Sequence, residues 1–146
     1  MVVNDRADVA RAAGADGVHL RASGIPVRRA RAMGPRGWIV GRSAHDHAEM
    51  LAAADADYVV YGTVFATGSK PGVVGQGIDR LAAATRAVSC PVLAIGGVTL
   101  ERLPELSRCG ASGIAAISLF LPASVGGVGP DVAVRAAQAA FGVTLT

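Results

Sequence analysis

The chain has 146 residues, the size of one ordinary domain, and 51% of them are hydrophobic, so a substantial core can be buried and a disordered tail is excluded. The formal charge of +3 comes mainly from arginines scattered through the first third, which is the pattern of a solvated helix face; a nucleic-acid footprint requires clustering with aromatics. No stretch approaches the ~18 apolar residues of a membrane span, no basic-then-apolar leader opens the chain, and Cys90 and Cys109 read as free thiols, so a cytoplasmic protein without membrane or nucleic-acid partners is expected.

Taken in chain order, short β-branched runs alternate with Ala-rich stretches of helical spacing. The pattern predicts strand Val2-Val3, helix Ala7-Ala13, strand Gly17-Leu20, helix Val27-Met33, strand Trp38-Gly41 and helix His47-Ala54. It continues with strand Tyr58-Gly62, helix Ile78-Val88, strand Val92-Ile95, helix Leu100-Cys109, strand Gly113-Ile117 and helix Val132-Phe141. Three junctions, at Gly14-Ala15-Asp16-Gly17, Ala56-Asp57-Tyr58 and Gly110-Ala111-Ser112-Gly113, each end a helix on a small residue and launch a buried strand.

Serial βα units make a parallel sheet, either closed as a barrel or open and doubly wound. No GxGxxG follows the first strand, and polar residues sit at the carboxyl ends of successive strands: Asn4-Asp5, His19, Ser43, the Thr63 to Lys70 loop, Gly96-Gly97 and Ser118. In a barrel these ends converge on one mouth, so the chain reads as one α/β domain, residues 1–146, of (β/α)8 TIM-barrel type with about six of the eight units present. Six units do not close such a barrel. The expectation is that the amino-terminal units are absent, or that self-association or a partner chain completes the sheet, because a bare edge strand invites pairing.

Between Gly62 and Gly72, Thr67, Ser69 and Lys70 stand close together among glycines, offering hydroxyl donors and a point charge to a phosphate; the alternative is an ordinary polar loop. Gly96-Gly97 before a helix, and Ile117-Ser118 ending the next strand, match the backbone phosphate sites of late barrel strands; the alternative for the paired glycines is a tight turn. Asp5 reads either as a helix cap or as a Mg2+ ligand. His45 and His47 lack the further carboxylate that a zinc site wants, and His19, inside a strand, reads as a barrel-interior or packed histidine rather than a catalytic base.

The segments VNDR, ADGVHL, GRSAH, DYVVYGTVF, TGSKPG, PVLAIGGVT and ASGIAAIS, in this order, resemble the thiamine phosphate synthase and TenI family from Val3 to about Phe120. The resemblance implies a transferase of thiamine biosynthesis that couples a hydroxymethylpyrimidine diphosphate to a thiazole phosphate and releases pyrophosphate. It implies that Asn4 and Asp5 lie at a pyrophosphate and Mg2+ site, Asp5 as metal ligand. Ser43 and Lys70 would stand beside the same group as catalytic residues. Thr67, Ser69 and Lys70, with Gly96, Gly97, Ile117 and Ser118, would bind the phosphates of the substrates. Two departures stand out: Gly24 occupies the place of an acidic metal ligand, and Thr63 the place where tautomerases of the TenI type carry a histidine. Arg42 and the loop at Arg21-Ile25 lean toward the TenI side, so a TenI-like thiazole tautomerase, or a regulatory phosphate-binding paralogue without catalysis, is the alternative.

Overall fold

The computed structural model describes residues 1–68 and 71–142. Strands β1 (Val2–Asn4), β2 (Gly17–Leu20), β3 (Ile39–Ala44), β4 (Tyr58–Gly62), β5 (Val92–Ile95) and β6 (Gly113–Ala115) alternate with helices α1 (Ala7–Ala12), α2 (Val27–Met33), α3 (His47–Ala52), α4 (Ile78–Ala87), α5 (Leu103–Arg108) and α6 (Pro130–Phe141). All pairings are parallel and run in strict chain order, β1 to β6. A doubly wound sheet reverses its strand order at a switch point. This sheet has no reversal, and its six strands curl as a half-barrel, which decides for the barrel-type reading.

The alternation of side chains along each strand sorts the core. Val18, Leu20, Val40, Ala44, Val59, Tyr61, Val92 and Ala94 point toward the helices and are buried, against Ala10, Ala30, Met50, Leu81, Leu103 and Leu106. Burying a Val or Leu of this kind contributes about 1.5–3 kcal/mol, so the helix-facing layer carries most of the stability. The opposite, concave face presents Val2, Asn4, His19, Ile39, Ser43, Tyr58, Val60, Leu93 and Ile95, none of them fully buried. Among the described residues, β1 and β6 each pair on one side only.

Three elements depart from expectation for physical reasons. Strand β3 continues through Arg42, Ser43 and Ala44, because the two polar side chains find partners within the fold. The segment from Leu100 opens as a 3-10 turn, Leu100–Arg102, and α5 starts only at Leu103. Pro104 dictates this: it has no N–H to donate and is tolerated only in the first turn of a helix. Strand β6 stops at Ala115, and the chain turns into two 3-10 turns, Ser118–Phe120 and Ala123–Val125, before α6.

Candidate functional site

Parallel strands in register bring their carboxyl ends to one rim, and the candidate residues sit there. Asn4, His19, Gly41 and Tyr58 form one cross-strand row on the concave face, and Ser43, Val60, Leu93 and Gly113 form the next. The register therefore brings His19 between residues far from it in sequence. Its Nδ1 lies 3.1 Å from the Tyr58 hydroxyl and its Nε2 lies 2.9 Å from Ser43 Oγ. The Tyr58 ring stacks on the imidazole with centroids 5.5 Å apart. Burial holds the His19 pKa below its ordinary value and raises that of Tyr58. A neutral imidazole offers one donor and one acceptor, so the Tyr58 and Ser43 hydroxyls are fixed in complementary roles.

Two recesses open on the rim. The first, with a volume of about 270 Å³, is lined by Thr67, Gly68, Gly96, Gly97, Ile117 and Ser118, together with apolar Ile95, Val98, Ala116 and Leu121. Five of the residues singled out from sequence thus meet in one cleft. Its wall depends on glycine. Gly97 has φ +60°, and a Cβ there would lie 2.5 Å from the Ala66 carbonyl oxygen and 2.8 Å from Phe65 Cβ. A Cβ on Gly96, at φ +100°, would lie 2.4 Å from Thr63 Cγ2. Backbone can approach backbone here only without side chains. Arg102 ties the two loops together, donating from Nη1 to the Gly97 carbonyl at 2.6 Å while its guanidinium lies 4.0 Å over the Phe65 ring.

The second recess, about 320 Å³, is lined by Arg21, Ala22, Ser23, Ser43, His45 and Glu49. Its outer wall, the loop after β2, is held by Arg42, which donates to the Ala22 carbonyl at 2.5 Å and to the Ile25 carbonyl at 2.9 Å. Arg42 is buried, and its Nε has no protein partner. The His45 ring nitrogen Nδ1 meets the Gly62 carbonyl, and Gln76 donates to the His45 carbonyl, so His45 braces β3 against β4.

The expected residues therefore share one rim but divide between two recesses, with Ser43 in one and Thr67, Gly96, Gly97, Ile117 and Ser118 in the other. Asn4 is exposed at the end of β1 and lines neither. Ser69 and Lys70 lie outside the described residues.

Asp5 does not cap α1: the N-cap position is Arg6, without a side-chain cap, and the Asp5 carboxylate is paired with Arg21 at 2.6 Å. A Mg2+ ion held by protein would need oxygen ligands converging on it. Among the described residues no group of three His, Cys, Asp or Glu side chains is placed to hold a metal, and Asp5 is already engaged, so the residues present do not fit a protein-held Mg2+. Thr63, buried and against Gly96, is no acid or base.

Sequence reasoning missed Arg102; it read His19 as a barrel-interior or packed side chain, and the structure puts it on the concave face. The signal for His19 was present in its alternation with buried Val18 and Leu20, which turns it to the concave face.

Helices on one face of a parallel sheet in chain order, with recesses at the strand ends, one of them walled by glycine, define the class: a barrel-type α/β protein. The chain belongs to the thiamine monophosphate synthase family, whose signature it matches over residues 1–120. It is 47% identical over 120 residues to a thiamine-phosphate synthase from Methanoculleus marisnigri, covering 80% of this chain and 57% of the relative. To a thiamine-phosphate synthase from Anaeromyxobacter dehalogenans it is 41% identical over 144 residues, covering 97% of this chain and 63% of the relative.

The solved thiamine phosphate pyrophosphorylase from Pyrococcus furiosus superposes with a TM-score of 0.78 at 32% identity, covering 97% of this chain and 66% of that one. At 13% identity, N-(5'-phosphoribosyl)anthranilate isomerase from the same organism shares the fold alone, with a TM-score of 0.66. The chain thus spans somewhat over half the length of the curated relatives it matches, 57% of one and 63% of another. No helix among the described residues is long and apolar enough to cross a membrane.

Proposed function

We propose that residues 1–146 act as a single domain carrying the substrate rim of a thiamine-phosphate synthase. The reaction is the coupling of a hydroxymethylpyrimidine diphosphate to a thiazole phosphate with release of pyrophosphate. The observation that carries this reading is the cleft in which Thr67, Gly96, Gly97, Ile117 and Ser118 meet. Paired glycines with positive φ keep side chains off this wall, so a phosphate can approach the backbone, and hydroxyls of Thr67 and Ser118 line the same cleft. The thiazole phosphate belongs there; on the resemblance, Ser69 contributes to binding it and Lys70 serves the pyrophosphate.

The neighbouring recess takes the diphosphate. Ser43 faces it as a hydroxyl held by His19, and Asn4, at the end of β1 and outside the lining, is assigned to the same group on the resemblance. Fixed donors aimed at a departing pyrophosphate stabilise the charge that develops on it, and apolar Val60, Leu93 and Ile95 on the concave face favour a dry pocket for the reacting ring. Two recesses on one rim suit a reaction that joins two phosphorylated substrates. Thr63 in place of a histidine argues against the tautomerase alternative, since no acid or base stands at that point.

Calorimetric titration tests the proposal. A synthase rim binds both thiazole phosphate and inorganic pyrophosphate, a tautomerase-like protein binds only the first, and binding of neither refutes the reading.

A further inference from the structure

The end of β1 is built in an unusual way. Asp5 is the only non-glycine residue with positive φ among those described, at +60°, and its N–H donates to the His19 carbonyl at 2.7 Å, so the backbone is pinned in the left-handed region. Aspartate tolerates that conformation better than most residues, but a held outlier of this kind aims a side chain. It aims the carboxylate over the loop after β2. There Oδ2 meets Arg21 Nη2 at 2.6 Å, and a Cβ added to Gly24 would stand 3.3 Å from Oδ1.

The same Cβ would stand 3.0 Å from the Arg21 carbonyl oxygen, so the position facing Asp5 is close-packed and carries no second carboxylate. A Mg2+ ion binds carboxylate oxygens at about 2.0–2.1 Å, which on the Oδ2 side falls within the space that the guanidinium fills. The guanidinium would also repel it. We infer that Arg21 takes the seat a divalent cation would need beside Asp5, so that pyrophosphate is recognised in this recess without a metal.

The inference rests on the proposed diphosphate recess. Arg21 lines that recess with Ser43 and is 68% exposed, so its guanidinium stays accessible beside the ion pair with Asp5, while Glu49 on the same lining accepts the His45 N–H at 2.6 Å. A guanidinium matches phosphate oxygens two at a time, and its charge does not depend on pH in the working range. Asp5 is then a positioning residue that orients the arginine, and Gly24 keeps a competing carboxylate away from it.

The test is calorimetry of the chain with inorganic pyrophosphate, in EDTA and in excess Mg2+. Binding in EDTA that changes less than about twofold with Mg2+ is expected, with a loss of at least about tenfold in Arg21→Gln. Pyrophosphate binding that requires Mg2+ and disappears in Asp5→Asn overturns the inference and leaves the synthase reading standing. Absence of binding in both conditions overturns both.

A metal-only readout needs no anion. By Mn2+ electron paramagnetic resonance, the wild-type chain should leave the ion free, and Arg21→Gln combined with Gly24→Asp should bind it at least about tenfold more tightly. Equal Mn2+ binding by the two proteins refutes the seat argument. Arg21 is exposed, whereas a Cβ at Gly24 requires the Arg21 carbonyl to yield by a few tenths of an ångström, so thermal unfolding of both variants accompanies the titration and Arg21→Gln alone carries the test in EDTA.

Discussion

Arg102→Met is the substitution that separates a built anion cleft from an accidental one. It keeps the aliphatic stem but removes the hydrogen bond to the Gly97 carbonyl and the stacking on Phe65. A hydrogen bond from a charged donor is worth about 1.5 kcal/mol at the low end of its range, and a cation-π contact at a half-exposed site about 0.5–1 kcal/mol. The loss is therefore about 2 kcal/mol.

Where that energy falls is the question. If Arg102 holds the glycine loop in its binding geometry, the cost appears in affinity, and thiazole phosphate binds about 30-fold more weakly by calorimetry. If Arg102 only staples the fold, affinity survives and Tm falls by about 4–8 °C. The account expects the first outcome, with Arg102→Lys intermediate because a lysine keeps the charge but not the planar stack. An unchanged affinity with Tm within about one degree of wild type would refute the reasoning.

Other consequences are measurable on the same material. Burial lowers the His19 pKa from 6.5, so the unfolded chain binds a proton that the folded chain resists; stability is therefore full above about pH 6.5, falls as pH drops through and below it, and His19→Gln flattens that part of a Tm-against-pH curve. Gly97→Ala and Gly37→Ala both place a Cβ at positive φ, costing about 1–2 kcal/mol of backbone strain. Only Gly97 also meets neighbouring atoms, within 2.5 Å, while Gly37 has nothing within 4 Å, so denaturant titration should find the Gly97 variant distinctly less stable. Lys70→Ala should weaken pyrophosphate binding in calorimetry, and an unchanged affinity counts against the role assigned to it.

Much of the fold could be read from the residues because apolar runs bounded by Asp, Gly or Pro mark buried strands. Gly17–Leu20, Tyr58–Gly62 and Val92–Ile95 lie where those signals put them. The signal fails where polar residues continue a strand: Arg42 and Ser43 look like a loop, and only the carbonyls of Ala22 and Ile25 and the imidazole of His19 explain why they extend β3. The rim residues were visible as polar ends of strands, since parallel pairing sends all those ends the same way.

Their partnerships were not visible. Asp5 with Arg21, His19 with Tyr58, and Arg102 with Phe65 are set by register and by where long side chains reach, which no local pattern encodes. The division of the rim into two recesses has the same origin: it depends on how the loops after β2, β4 and β5 fold back, and neighbouring residues in sequence do not determine that.

A backbone-amide nuclear magnetic resonance titration tests the two-recess rim most directly. Thiazole phosphate should move the signals of Gly96, Gly97 and Ser118 along one binding curve, and inorganic pyrophosphate should move those of Asn4, Arg21 and Ser43 along another. Shifts scattered over the helices, or none at either set of strand ends, would contradict it.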